Sequence, residues 1–158
     1  MIAVIQRVLK SSIAIDHTVI SEISNGLNIL LCVVNGDTEK DMKYIADKMV
    51  RTRIFSDDEG KMNLSVMDVK GELMVISQFT LAADSRKGNR PSFINAALPD
   101  KANEMYSSLI EYIRQNYDVP VRTGIFAANM QVSILNNGPV TIILNSKDKL
   151  NTDEKGKK

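Results

Sequence analysis

The sequence is poor in the side chains that many enzymes use for catalysis. Its 158 residues include no tryptophan, one histidine and one cysteine, and aromatic residues account for only 5%. Cys32 has no second cysteine for a disulfide, and its flanks NILLCVVNG are apolar. We therefore expect a small buried core residue there, since a reactive thiolate needs a polar, exposed setting. His17 lies in DHTV, a predicted turn, and would give a Ser-His-Asp mechanism no buried imidazole.

Other signatures of binding and targeting are also missing. The acidic stretch SDDEG lacks the spacing of a calcium loop, and there is no dinucleotide fingerprint or P-loop. We therefore expect no metal and no cofactor. No run approaches the roughly 18 apolar residues that span a bilayer. Because Gln6 and Arg7 interrupt the apolar N-terminus MIAVIQRVLK, it does not resemble a signal peptide. We expect a cytoplasmic protein without membrane contact.

The apolar residues that are present predict many strands and about two helices. Hydrophobic residues make up 44% of the chain, enough for a core. The predicted strands are 2–9, 12–16, 27–34, 72–78, 130–135 and 140–145, and the predicted helices are 39–51 and 100–116. Thr38 and Asp41 resemble a capping box at the start of the first helix.

The order of these elements predicts the fold class. Most strands follow one another without an intervening helix, which favours an α+β fold. We expect a curled mixed β-sheet or barrel with the helices packed outside. A single domain should cover 1–146, and the charged stretch 147–158, KDKLNTDEKGKK, should be a disordered polar tail.

One segment combines several polar groups with an aromatic ring. Ser77, Gln78, Phe79 and Thr80, in SQFTL, follow the predicted buried strand ELMVI. They offer hydroxyls, an amide that both donates and accepts, and a stacking face. Such groups at a strand end can line a pocket. They can equally make structural hydrogen bonds, and the spacing does not decide between the two.

Basic residues occur in two further places of interest. Arg86, Lys87 and Arg90 lie close together in DSRKGNRP, where they could contact phosphates or simply face solvent. Arg7 is isolated within an apolar strand, where it could reach solvent or donate to backbone carbonyls. The net charge is only +1, so no global basic field indicates a nucleic-acid partner, although local patches can suffice.

The stretch NNGPVT lies between the last two predicted strands. Asn-Gly between apolar runs is typical of a hairpin turn, and the following proline stiffens it. Since only about 5–6% of X–Pro bonds in folded proteins are cis, the residues alone predict a trans bond between Gly138 and Pro139.

SQFTL and NNGPVT together resemble the signature pair of D-aminoacyl-tRNA deacylases. The segments IAVIQRV, RIFSDDEGKMNLS, RKGNRPSF and TGIFAANMQVSILNNGPVT agree as well, so the resemblance covers nearly all of 1–145. It implies a homodimeric, cofactor-independent catalytic domain. Such an enzyme hydrolyses the ester between the 3′ end of tRNA and a D-amino acid or glycine, which proofreads chirality in translation.

The resemblance also implies a gate at the subunit interface. Gly138 and Pro139 would be joined by a cis bond and enter the pocket of the other subunit, where their carbonyls exclude L side chains. Arg7 matches an arginine that braces this gate. Three positions match residues around the terminal adenosine and the amino acid: Ala96, Phe126 and Met130. One residue departs from the family, because Asn137 stands where an aspartate is more common, which removes a charge.

The catalytic segment implied by the resemblance is Ser77, Gln78, Phe79 and Thr80. The family is thought to use the 2′-OH of the terminal ribose to assist water, whereas an older view makes Thr80 the nucleophile. Because no histidine base is available, we favour the mechanism in which the 2′-OH of the tRNA assists the attacking water. Backbone N–H groups near Phe79 and Thr80 would then stabilise the oxyanion, and Ser77 and Gln78 would position the substrate.

Two alternative functions remain open at this stage. The first is a nucleic-acid-binding barrel without catalysis, in which the basic loop and a phenylalanine hold single strands. The second is a deacylase directed mainly at glycine mischarged on the tRNA for alanine, which the sequence barely separates from a D-specific enzyme.

Overall fold

The computed structural model describes residues 1–148 of the chain. The strands are β1 (Ile2–Ile15), β2 (Thr18–Ile23), β3 (Gly26–Cys32), β4 (Phe55–Ser56), β5 (Met62–Leu64), β6 (Glu72–Ser77), β7 (Val121–Thr123) and β8 (Gln131–Asn145). The helices are α1 (Glu39–Arg51) and α2 (Pro99–Asn116), and a short 3-10 helix covers Phe79–Ala82. The turn at His17 connects β1 to β2 and is exposed, as predicted.

The long strand β1 organises the main sheet. Its first half, Ile2–Val8, pairs with β3, and its second half, Ser11–Ile15, pairs with β2. Strand β8 runs antiparallel to β1 from Ile2 to Ala14. Because a strand has only two edges, β2 and β3 share one edge of β1 and β8 occupies the other.

The other half of the sheet is parallel. β3 pairs with β6, and β6 pairs with β7, all in the same direction. Each parallel connection needs a crossover, and α1 and α2 lie in these two crossovers. The carboxyl ends of β3 and β6 therefore lie side by side, which is where ligands bind in many open α/β sheets.

Two apolar clusters fill the two faces of the sheet. The larger cluster packs Ile29 and Leu73 of the sheet against Ile45 and Met49 of α1 and Leu109 of α2. The smaller cluster on the opposite face consists of buried residues from the three strands β1, β2 and β6, namely Val8, Ile13, Ile23, Met74 and Ile76. The predicted class, a curled mixed sheet with two helices outside, is confirmed.

Strands β3 and β6 approach closely at Gly26. A methyl group on this residue would overlap the carbonyl oxygen of Glu72 and would lie 2.8 Å from its nitrogen and 2.9 Å from its carbonyl carbon. All three atoms belong to the backbone of the neighbouring strand. Gly26 therefore sets the spacing at which the parallel pair begins.

The helix predictions are confirmed closely. α1 covers Glu39–Arg51. The Thr38 N–H donates to the Asp41 carboxylate at 2.9 Å, as the capping box predicts, and the Thr38 hydroxyl donates to the same carboxylate at 2.7 Å. α2 begins at Pro99, one residue earlier than expected, and proline is favoured in the first helical turn.

The predicted turn at NNGPVT is wrong, because 131–145 form one strand. The pairing of β8 with β1 shifts from Thr141 opposite Gln6 to Asn136 opposite Val8, so that 137–140 bulge opposite Arg7. The strand continues beyond this bulge because β1 supplies partners on both sides of it. The Gly138–Pro139 bond is cis, contrary to the expectation from residue frequencies and in line with the resemblance.

Two other boundaries differ from the sequence predictions. The strands predicted at 2–9 and 12–16 are one strand, since β8 pairs with both halves of β1. In the predicted tail, Lys147 makes tertiary contacts, with its ammonium 3.0 Å from the Asp41 carboxylate and 3.4 Å from that of Asp37. The rest of that prediction, 149–158, lies outside the described residues.

Candidate functional site

A cavity of about 640 Å³ opens at the carboxyl ends of β3 and β6. Its wall is mostly apolar, with polar groups concentrated at the end of β6. The lining residues include Leu31 at the end of β3, Ile76, Ser77, Gln78 and Phe79 at the end of β6, and Tyr106 of α2. The size and the few convergent polar groups are typical of a small-molecule site.

The predicted segment Ser77–Thr80 lies at the rim of this cavity. Ser77 and Gln78 are half-buried and line it, and the Gln78 N–H donates to the Leu31 carbonyl at 2.8 Å. Phe79 also lines the cavity but is 57% exposed. Thr80 does not line it, and its hydroxyl accepts a hydrogen bond from the Gln78 side-chain amide.

Cys32 lies beneath this segment as a core residue, as predicted. It is 1% exposed, and its Sγ lies 3.5 Å from the carbonyl oxygens of both Val33 and Phe79, either of which can accept from the single thiol hydrogen. Burial raises the pKa of the thiol. Cys32 therefore supports the backbone of the rim and has little thiolate character for a nucleophilic role.

Three further predicted residues meet in the cavity wall. Ala96, Phe126 and Met130 all line it. Ala96 belongs to a segment held against the chain after β3, because the Ala97 N–H donates to the Val33 carbonyl at 3.0 Å. The resemblance therefore selected residues that are distant in sequence and close in space.

Tyr106 is a cavity residue that the sequence analysis missed. Its hydroxyl donates to the Val75 carbonyl at 2.7 Å, and its ring lies 6.0 Å from the Phe126 ring. Burial raises the pKa of its phenol, so it stays a neutral donor. Tyr106 is one helical turn from Ala102 on the inner face of α2, and this spacing could have identified it.

An aromatic contact at the mouth was also not predicted. The rings of Phe79 and Phe93 meet edge to face with centroids 5.1 Å apart. Phe93 lines the cavity together with Phe79. No periodic signal marks Phe93, because it follows an irregular loop.

Arg7 holds the bulge of β8 rather than lining the cavity. Its Nε donates to the Asn137 carbonyl at 3.0 Å, and its Nη1 donates to the Ile54 carbonyl at 2.6 Å. A methyl group on Gly138, whose φ is +128°, would lie 3.1 Å from Nη2 of Arg7. Gly138 and Pro139 are exposed, and neither lines the cavity of its own chain.

The basic loop lies outside the cavity, and its three cations differ. Arg86 is engaged by Asp84, with Nε and Nη2 2.9 and 2.6 Å from the two carboxylate oxygens. Arg86 thereby lowers the pKa of Asp84 to about 2. Within residues 1–148, no ion pair involves Lys87 or Arg90. These two cations are therefore better placed than Arg86 to meet phosphates.

Among the described residues, no three His, Cys, Asp or Glu side chains form a group that could hold a metal ion. No helix in the same part of the chain is long and apolar enough to cross a membrane.

Solved structures with a similar fold include the following two. One is that of a protein described as the c-Myc DNA Unwinding Element Binding Protein, with a TM-score of 0.88, 39% identity, and coverage of 92% of this chain and 98% of that one. The other is that of a probable eukaryotic D-amino acid tRNA deacylase, with a TM-score of 0.74. Its identity is 14%, so it supports the fold alone.

Sequence comparison identifies the family. Proteins named D-aminoacyl-tRNA deacylase from Natranaerobius thermophilus and Persephonella marina are 53% and 55% identical to this chain. The alignments cover 94% and 93% of this chain and 99% of each relative. The model of the family described as D-Tyr-tRNA(Tyr) deacylase matches residues 4–145. The chain therefore belongs to the D-Tyr-tRNA(Tyr) deacylase family.

Proposed function

We propose that this protein hydrolyses the ester bond of D-aminoacyl-tRNA and releases the free D-amino acid and tRNA. The observation that carries the proposal is the cavity of about 640 Å³ whose rim is formed by the Ser77–Phe79 part of the signature segment. A cavity of this size can hold a terminal nucleoside with its amino acid. Membership of the family supports the same activity.

Catalysis in this proposal relies on the substrate's own hydroxyl. The only histidine, His17, lies in the exposed turn before β2, and among residues 1–148 none that lines the cavity is a ready general base. The terminal 2′-OH beside the ester would assist the attacking water. Backbone N–H groups of Phe79 and Thr80 would stabilise the oxyanion, while Ser77 and Gln78 would position the ester and the adenosine.

The selection against L-amino acids would come from a second subunit. Gly138 and Pro139 are exposed on one chain, so a homodimer could insert them into the partner's cavity. Their carbonyls would occupy the space of an L side chain, whereas a D side chain points elsewhere and glycine has none. The gate would therefore also admit glycine mischarged on tRNA. Lys87 and Arg90 would add contacts to tRNA phosphates.

Thr80 provides a direct test of the chemistry. A side chain that acts as a general acid or base typically contributes a factor of 10² to 10⁴ to the rate, and Thr80 has no such role in this mechanism. We therefore expect Thr80→Ala to keep kcat within about tenfold of the wild-type value. The Thr80 hydroxyl already accepts from the Gln78 amide, which cannot remove its proton. Single-turnover deacylation measures this. Complete loss in a folded variant would restore Thr80 as the nucleophile.

The proposed function is tested by deacylation of three substrates at catalytic enzyme concentration. We expect release from D-Tyr-tRNA and Gly-tRNA, with L-Tyr-tRNA spared. Light scattering on the same preparation should give the mass of a homodimer. Absence of turnover on all three substrates would reject the deacylase, and a fully active monomer would reject the cross-subunit gate.

A second candidate function is nucleic-acid binding without catalysis. It is favoured by the 39% identity to a protein described as binding a DNA unwinding element, and by the exposed Phe79 beside a basic loop. Retention of single-stranded DNA or uncharged tRNA in stoichiometric amounts, without turnover of D-Tyr-tRNA, would support this function over the first.

A further inference from the structure

Gly124 is a glycine that the backbone conformation does not require. It follows β7 directly, where the chain leaves the sheet and goes on to form the cavity wall at Phe126 and Met130. Its φ lies outside the positive region occupied by Gly36 and Gly138. An L residue could therefore adopt its conformation, so the reason for glycine must be space.

The space in front of Gly124 is filled by Met130. A methyl group on Gly124 would overlap Sδ of Met130 and would lie 3.5 Å from its Cε. On another side it would lie 3.2 Å from Cδ1 of Ile13. The thioether of Met130 thus lies where a side chain at residue 124 would be.

Met130 is half-buried and lies between the smaller apolar cluster and the cavity. It packs against the smaller apolar cluster, in which Ile13 and Met74 are fully buried. Such interiors are close-packed and do not accept an added methyl group without displacement. On its other side, Met130 lines the cavity. A side chain at residue 124 that displaces Met130 away from this closed cluster moves it toward the cavity.

We infer that Gly124 is a positioning residue for substrate binding, acting through Met130. By leaving room for the thioether outside the cavity, it keeps the cavity wide enough for the aminoacylated nucleoside. This inference rests on the proposed function, since the ligand is the 3′ end of aminoacyl-tRNA. Neither residue belongs to the Ser77–Thr80 segment, so the effect falls on binding and not on the chemical step.

The test is a double-mutant cycle on Gly124→Ala and Met130→Ala. We expect Gly124→Ala to raise KM for D-Tyr-tRNA about tenfold, with kcat changed less than about threefold. In the Met130→Ala background the methyl group has room, so the same substitution should change KM less than about twofold. Binding of AMP, measured by calorimetry, should weaken in the same non-additive pattern.

Gly71→Ala is the matched control for simple destabilisation. Its methyl group would lie 3.0 Å from the Asn25 carbonyl oxygen and from Cγ2 of Val66, and Gly71 does not line the cavity. It should lower the melting temperature and leave KM unchanged. The inference would be overturned if Gly124→Ala left KM unchanged, or if it raised KM equally in the wild-type and Met130→Ala backgrounds.

The remaining outcomes separate this inference from the proposed function. If Gly124→Ala does not fold, the test passes to the double variant that carries both Gly124→Ala and Met130→Ala. A double variant that folds and binds AMP at least as tightly as Met130→Ala supports the steric coupling. A double variant that does not fold overturns it. If the wild-type protein shows no turnover but AMP binding follows the non-additive pattern, the deacylase proposal fails and the positioning role of Gly124 stands.

Discussion

Replacing Arg7 by methionine should lower the ratio of D-Tyr-tRNA to L-Tyr-tRNA hydrolysis about thirtyfold. The guanidinium donates to the carbonyls of Asn137 and Ile54, at 3.0 and 2.6 Å, and so fastens the bulge of β8 to the chain before β4. Hydrogen bonds from a charged group contribute about 1.5–3 kcal/mol each. We take about 2 kcal/mol for the pair of interactions, because the side chain is only half-buried. Without them, the carbonyls of the proposed gate lose their fixed direction.

Arg7→Lys is the matched control for charge. Lysine keeps the positive charge but lacks the planar fork that reaches two carbonyls at once. We expect it to recover at most part of the D/L ratio, with a melting temperature close to that of Arg7→Met. Deacylation of both tRNAs by the two variants measures this. An unchanged ratio in Arg7→Met, together with a lower stability, would make Arg7 a purely structural residue.

Gly26→Ala should destabilise the fold more than the addition of a methyl group at any other glycine of the sheet. The added carbon would overlap the Glu72 carbonyl oxygen, and the neighbouring atoms are backbone that no side-chain rotation can move. We expect the free energy of unfolding to fall by more than about 3 kcal/mol, since β3 and β6 must separate locally. For a chain of this size the melting temperature should drop by about 10 °C.

A comparison with Gly71→Ala separates overlap from ordinary crowding. There the nearest atoms lie 3.0 Å away and include the side-chain carbon Cγ2 of Val66, which can shift. We expect less than half the loss seen for Gly26→Ala, measured by thermal unfolding. Equal losses would mean that the β3–β6 contact adapts easily and that Gly26 does not set the strand spacing.

Local signals in the sequence were sufficient for some elements. The capping pair Thr38–Asp41 and the apolar period that follows it define α1 without help from the rest of the chain. The apolar runs before Val33 and Ser77 predicted β3 and β6, because strands buried on both faces need no alternation. The family segments also brought Ala96, Phe126 and Met130 into one wall.

Long-range pairing accounts for what the sequence did not predict. NNGPVT has the composition of a turn, and only the length of β1 opposite it makes 131–145 one strand with a bulge. Thr80 is close to Ser77 and Gln78 in the sequence, yet it lies in the 3-10 helix and does not line the cavity. The bulge has no local signature, since it depends on where the distant strand β1 lies, whereas the orientation of Thr80 follows from a short 3-10 turn that the sequence analysis did not predict.

The pairing of β1 with β8 also bears on how the chain folds as it is synthesised. These are the first and last strands described, with Ile2 opposite Asn145. Contacts between such distant residues form slowly, because a large loop must close before any of them is gained. A nascent chain that has emerged only as far as α2 has β1 paired along one edge. That open edge would favour association between neighbouring nascent chains until β8 arrives.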